Sequence, residues 1–435
     1  MNQQAPAPSP PTLPVSLAAN PKLSSWLKFS GSGQVTADEL DIDLSRVQMM
    51  RTSTAASPNE GVTSGSLSIQ QSGRALRHAC AEVRRIFLQH AAERLGVDID
   101  ALDVEDGTIS GPGNVRTSYW ELAGEVSLDR DATPDARPKA ATRRALAGSS
   151  IQRLDIPDKV FGQTRFIHDH ALAGMLHGRV LRPENARAKL GELKEDGARA
   201  IAGLVTVVRD GNFAGVVSET EHGAESALLA LRKGATWSDG EALPDENDLA
   251  SFLKAEPSES TVIDRKTAAS PGVAARTIRR QYTRPYIAHA SIAPSCAMAQ
   301  WNGDRVHVWT HSQGVYLLRA DLALVLKLPV ENITVEHMEG AGCYGHNSAD
   351  DAALDAVLLA KAAGGRPVRV QWSRQGEMSD APFGAAMAIE IEADLDAQGE
   401  IVDWRHAVWG NGHVARPGRA ALPALLGGFE LAEPF

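Results

Sequence analysis

The run Gly340-Ala341-Gly342-Cys343-Tyr344-Gly345 constrains this 435-residue chain more than any other feature, because segments of different period flank it. Ahead of it Ile333–His337 alternates like a strand, behind it 350–363 repeats apolar residues at helical spacing, and 368–372 alternates again. Read literally, strand, G-x-G-x-x-G, helix and strand make the unit that holds a dinucleotide pyrophosphate on a helix N-terminus. Three features oppose that reading. Glu336 and His337 lie in a strand that a parallel sheet would bury. Asp350 and Asp351 open the helix where an anion would have to sit. The second strand runs into Ser373-Arg374 and offers no acid for a ribose. Two other readings remain: a tight turn packed on its neighbours, or a loop kept bare so that another group can approach its backbone.

The rest of the chain is organised as alternating helices and strands. Leu76, Ala79, Cys80, Val83, Ile86 and Phe87 recur every three or four residues, which predicts an amphipathic helix with Gly96 at its C-cap. Strands are expected at 175–181, 204–209 and 213–218, closed by a helix over 221–233. Further strands are expected at 306–310, 387–392 and 401–408, with a helix over 315–327. Residues 1–22, rich in Pro, Ala and Ser and without an apolar core, predict a disordered leader with neither a secretory nor a twin-arginine signal. Polar linkers are expected at 131–152 and 241–278.

Several function classes are disfavoured. A net charge of -10 with scattered Arg pairs argues against a nucleic-acid footprint. No apolar run reaches the ~20 residues of a membrane helix, so a cytoplasmic protein is expected. Cys80, Cys296 and Cys343 are far apart, which argues against a disulfide framework, a zinc site or a cysteine-held iron–sulfur cluster in this chain.

Local candidate sites each have a plain alternative. Thr63, Ser64, Gly65, Ser66 and Ser68 precede the first long helix and could meet a phosphate, or could be ordinary capping-loop residues. His168, His170 and His177 invite a metal but lack a second cluster, so a polar surface loop is the plainer reading. Gln313 reads locally as a cap or turn residue, and Cys343 as a lone buried cysteine.

Taken in order, these segments resemble a known family. The stretch from Thr63 to Leu76, the segment His170-Ala-Leu-Ala-Gly-Met-Leu-His-Gly-Arg-Val-Leu-Arg-Pro183 and Ala288-His-Ala-Ser-Ile-Ala-Pro294 form the first part of the set. Val308-Trp-Thr-His-Ser-Gln-Gly314 and Glu339-Gly-Ala-Gly-Cys-Tyr-Gly-His-Asn347 complete it. The set is similar to molybdenum-binding large subunits of the xanthine dehydrogenase/aldehyde oxidase family, in the isoquinoline 1-oxidoreductase and nicotinate dehydrogenase beta-subunit branch. The resemblance implies an α+β fold, with an α/β hammerhead domain at 153–240 flanked by parts of the molybdopterin-binding domains at 23–130 and 279–435.

It also implies a molybdenum-pterin cofactor in its cytosine dinucleotide form, held by no direct protein–metal bond. Gln313, Gly340, Ala341, Gly342 and Cys343 fall on positions beside the metal, and Thr63, Ser64, Gly65, Ser66 and Ser68 on positions beside the pterin and its phosphate tail. Tyr344 and Asn347 fall on the substrate side. The implied reaction oxidises an N-heteroaromatic or aldehyde with oxygen from water and sends electrons to [2Fe-2S] clusters on a small partner subunit.

The sequence departs from the family in three places. The family's Gly-Gln-Gly loop is shortened at Gly31-Ser-Gly-Gln-Val35, and Cys343-Tyr344 stand where Phe-Gly is usual. The catalytic Glu is expected beyond Phe435, so the chain reads as C-terminally truncated and in need of a companion chain. The rival expectation is a non-catalytic remnant serving as an assembly or interaction module.

Overall fold

The computed structural model describes residues 12–27, 37–185, 187–266, 272–412, 417 and 425–434. Their contacts define two units. The first is Met1–Arg165 with Ser312–Arg319 and Thr334–Met338; the second is Phe166–His311, Ala320–Ile333 and Glu339–Phe435.

In the first unit the helical period produces the expected long helix. With α1 at Val15–Ala19, this is α2, Arg74–Leu95, and Gly96 closes it in the left-handed region (φ 66°) by donating its N–H to Ala92. The inward stripe Ala75, Ala79, Cys80, Val83 and Phe87 is buried, and Phe87 meets the Tyr119 ring edge-on at 5.4 Å. A three-stranded meander follows: β1 Asp103–Glu105, β2 Thr108–Ser110 and β3 Arg116–Ser118.

The expected leader divides differently. Residues 1–11 lie outside the described residues, but α1 folds, and Leu17 is fully buried in the same core as α2. The Asn20 amide anchors this segment by donating to the carbonyls of Ser16 and Asn59. The first part of the expected linker at 131–152 also packs on α2, where His78 Nε2 bonds the Thr133 carbonyl and Thr133 Oγ1 bonds Glu82. The shortened Gly31–Val35 loop lies outside the described residues.

The second unit is built on β4 Leu176–Leu181, β5 Leu204–Asp210, β6 Phe213–Ser218, helix α3 Glu221–Gly234, β7 Arg276–Arg284, β8 Cys296–Asn302 and β9 Arg305–Thr310. After helix α4 (Val315–Leu326) and strand β10 (Ile333–His337) come helix α5 (Ala349–Ala360), β11 (Val368–Gln371), β12 (Met387–Leu395) and β13 (Ile401–Gly410). Within this unit the strand order is β9-β8-β11-β4-β6-β5, antiparallel except for the parallel β11–β4 pair. Every residue of α5 is buried, and the helix lies on β8 and β11. Gly178 and Gly215 admit it: a Cβ on either would come within 2.6 Å and 3.0 Å of the Leu359 methyls.

Two consequences follow from the β11–β4 pairing. β4, β5 and β6 of 153–240 share one sheet with β8, β9 and β11 of 279–435, so 241–278 does not separate that sheet in two. It carries instead the helix Leu249–Ala255, which lies on a second, three-stranded sheet ordered β13-β12-β7. The neighbours of β11 are β8 and β4, so the strand–glycine loop–helix–strand run is not a dinucleotide unit. The architecture is α+β.

Candidate functional site

In the first unit the structure joins two of the expected site segments that lie 250 residues apart. Thr63 N donates to the Gln313 carbonyl at 2.9 Å, and Gln313 Nε2 donates to the Thr63 carbonyl at 2.8 Å. Around this pair, Thr54 N bonds the Val335 carbonyl, His337 N bonds the Thr52 carbonyl, and the Tyr316 hydroxyl bonds the Ser57 carbonyl. Because Thr63 presents a carbonyl, the Gln313 amide must turn its NH2 that way. Its Oε1 is then left buried without a partner, an arrangement that costs free energy until a donor arrives.

From Thr63 onward the loop opens to solvent. Ser66 and Ser68 are exposed, Ser64 is half-buried, and Gly65 and Ser66 both take left-handed backbone (φ 64° and 57°). A π-turn over Ile69–Gly73 leads into α2, whose N-terminus has no side-chain cap. The helical bonding begins ahead of Arg74, since Gly73 N donates to the Ser68 carbonyl and Arg74 N to the Gln71 carbonyl.

In the second unit the glycine loop wraps a histidine. The loop is tied down by Ile167 N, which donates to the Glu339 carbonyl at 2.8 Å. Gly340 sits against the His311 ring so closely that a Cβ would lie 2.5 Å from Nδ1. Gly342, Tyr344 and Gly345 all have positive φ (103°, 51° and 131°), so the backbone coils tightly here. Tyr344 is 61% exposed, and Cys343 is half-buried.

Asn347 is buried. Its Nδ2 lies 3.0 Å from His311 Nδ1, and its Oδ1 accepts from Ala349 N at 3.2 Å. The opposite ring nitrogen of His311 accepts from Cys296 N at 3.1 Å. His311 thus links β8, the glycine loop and the start of α5. Sequence reasoning passed it over, since nothing local marks a histidine whose partners lie 15 and 36 residues away.

A second feature missed from sequence is a buried charge cluster. Arg182 donates to both carboxylate oxygens of Asp355 at 2.8 Å and to Glu430 at 2.8 Å, while Trp372 Nε1 donates to Asp355 at 2.9 Å. Burial pushes Glu430 up to about 7 against the pull of Arg182. Asp351 is likewise raised to about 7 by burial, opposed by the Leu426 N–H and Arg182. Three aspartates in an otherwise apolar helix were the available signal.

Of the histidines at 168–177, His168 is engaged through its ring. His168 Nε2 donates to the Pro294 carbonyl, and Arg369 bonds the backbone of His168 and His170. Among the described residues no group of three or more His, Cys, Asp or Glu is arranged to hold a metal ion, and no helix is long and apolar enough to cross a membrane.

Comparison with known proteins gives this geometry a context. Two molybdopterin cofactor-binding domain families match the chain, over residues 261–427 and 30–145, together more than half of it. A nicotinate dehydrogenase subunit of Pseudomonas putida is 38% identical over 379 residues, which cover 85% of this chain and 32% of that protein. The beta subunit of isoquinoline 1-oxidoreductase from Brevundimonas diminuta is 24% identical over 454 residues, covering 92% of this chain and 57% of its own length.

Among solved structures, quinoline 2-oxidoreductase from Pseudomonas putida 86 superposes with a TM-score of 0.48 at 20% identity, covering 60% of this chain and 39% of that one. The domain families and the sequence relatives define a molybdopterin cofactor-binding polypeptide. The chain belongs to the molybdenum-binding subunits of the xanthine dehydrogenase family. It spans about a third of the nicotinate dehydrogenase subunit and just over half of the isoquinoline enzyme's beta subunit.

Proposed function

We propose that this chain is the cofactor-binding part of a cytoplasmic molybdenum hydroxylase that oxidises N-heteroaromatics or aldehydes. Water supplies the oxygen, and electrons pass to [2Fe-2S] clusters on a small partner subunit. The observation that carries the reading is Gln313, whose amide is fixed by Thr63 and whose buried Oε1 awaits a donor. A bound molybdenum-pterin cofactor, in its cytosine dinucleotide form, would supply the redox-active metal centre for hydroxylation.

The chain's own residues bind and orient. Gln313 offers its carbonyl and one remaining amide N–H. Gly340, Ala341, Gly342 and Cys343 present backbone. Thr63, Ser64, Gly65, Ser66 and Ser68 offer hydroxyl and N–H donors ahead of α2 for the pterin and its phosphates. Tyr344 is exposed and touches substrate, while Asn347 shapes that side of the loop through its bonds to His311, Gly342 and Ala349. The proton-removing carboxylate is proposed to lie in polypeptide outside these 435 residues, on a companion segment.

The test is metal content. The chain is expressed beside its genomic neighbours in a host that makes the cofactor, and molybdenum and pterin are measured per mole of purified protein. Near-stoichiometric metal is expected, and Gln313→Ala should weaken cofactor retention by roughly ten- to a hundredfold, as the loss of about 1.5–3 kcal/mol of hydrogen bonding to a charged group implies. A well-folded product without molybdenum overturns the reading and leaves an assembly module.

A further inference from the structure

The three-stranded sheet of the second unit has two unlike faces. Residues paired across the strands share a face, so the register Tyr282–Ile389–Val408, Arg280–Ile391–His406 and Ile278–Ala393–Trp404 defines one of them. The opposite face is satisfied. Its Arg279, Glu392, Arg405 and Asp394 form an ion-pair ladder, and the helix Leu249–Ala255 covers it through Lys254, which bonds Glu390 and sits 5.0 Å from the Trp409 ring.

Among the described residues the first face has no such helix over it. Tyr282 is 54% exposed, Trp404 51% and Val408 52%, in a continuous apolar field with Ile278, Ile389 and Ile391. An exposed apolar field of this kind marks an interaction surface. The ionised residues of this face are all cations: Arg276, Arg280 and Arg284, each exposed, with no carboxylate at any paired position.

We propose that this face docks a second polypeptide whose apolar surface carries carboxylates at the Arg276, Arg280 and Arg284 positions. Charge decides the occupant: a second copy of this chain would set arginines against arginines, whereas an acid-fringed surface neutralises all three. The inference stands on the sheet alone and does not require the metal.

The probe is the part of the Pseudomonas putida nicotinate dehydrogenase subunit outside the aligned 379 residues, produced as its own polypeptide and titrated calorimetrically into the full, cofactor-free chain. A one-to-one complex is expected. Trp404→Glu weakens it at least tenfold and Arg280→Glu several-fold, while Thr283→Glu on the opposite face leaves it unchanged. Val408→Glu replaces Trp404→Glu if circular dichroism shows that the latter does not fold. Three results overturn the proposal: no complex, a complex insensitive to both face variants, or a dimer of this chain that the face variants dissolve. Because no molybdenum is present, failure here leaves the metal-content test intact.

Discussion

Replacing Arg182 by Met tests the internal electrostatics of the second unit. The guanidinium is 8% exposed, holds the fully buried Asp355 with two bonds of 2.8 Å, and reaches Glu430 with a third. Met retains the apolar stem beside the Trp372 ring, now 5.1 Å from the guanidinium, and removes only the charge. Two carboxylates are then buried without their cation, a situation that costs about 3–5 kcal/mol. For a domain of this size that lowers the melting temperature by on the order of 10 °C.

The loss depends on pH. Burial already raises Asp355, and it holds Glu430 at about 7, in both cases against the pull of Arg182. The native state therefore keeps protons that the unfolded chain has released, and this contribution to stability is lost as pH rises toward 7. Without Arg182 both groups rise further, so the deficit is largest at pH 8 and shrinks at pH 5.5. Melting is followed by circular dichroism at both values. Arg182→Met/Asp355→Leu should recover much of the loss, since an apolar replacement of both partners is often near neutral. A single variant melting within about 2 °C of the parent at pH 8 would refute the reasoning.

Two further outcomes are expected. Gly340→Ala drives a Cβ to 2.5 Å from His311 Nδ1, so the ring or the loop must move; a loss of about 1–3 kcal/mol is expected in urea unfolding, and an unchanged midpoint would mean that the loop yields freely. Burial pushes the Cys296 thiol up to about 12, whereas Cys343 is partly open. Iodoacetamide at pH 8 should label Cys343 first and leave Cys296 intact in the folded chain, as peptide mapping would show.

Much of the architecture was legible where a local period existed. The stripe along Arg74–Leu95 and its Gly96 cap, the strand Phe213–Ser218 and the strand Ile333–His337 could all be read directly, because each repeats its own pattern. Cys296–Asn302 could not, although it is central to the sheet. Apart from Trp301, its residues Cys-Ala-Met-Ala-Gln-Trp-Asn carry little β-propensity, and its strand character comes from the partners on either side. The burial of Leu17 inside an apparent leader, and the helix Leu249–Ala255 inside an apparent linker, depend likewise on surfaces supplied from elsewhere in the chain.

The candidate site divides along the same line. Its glycines, serines and Gln313 could be located from ordered motifs alone. Composition and period carry no information about which side chain faces which, so the sequence left three things undecided: the reciprocal Thr63–Gln313 bonds, the seat of Gly340 on His311 and the burial of Arg182 with its carboxylates. Local spacing determines helices, strands and turns because those forces act within a few residues. Partners brought together across 29, 173 or 250 residues of chain are set by packing and burial, and those only the tertiary structure decided.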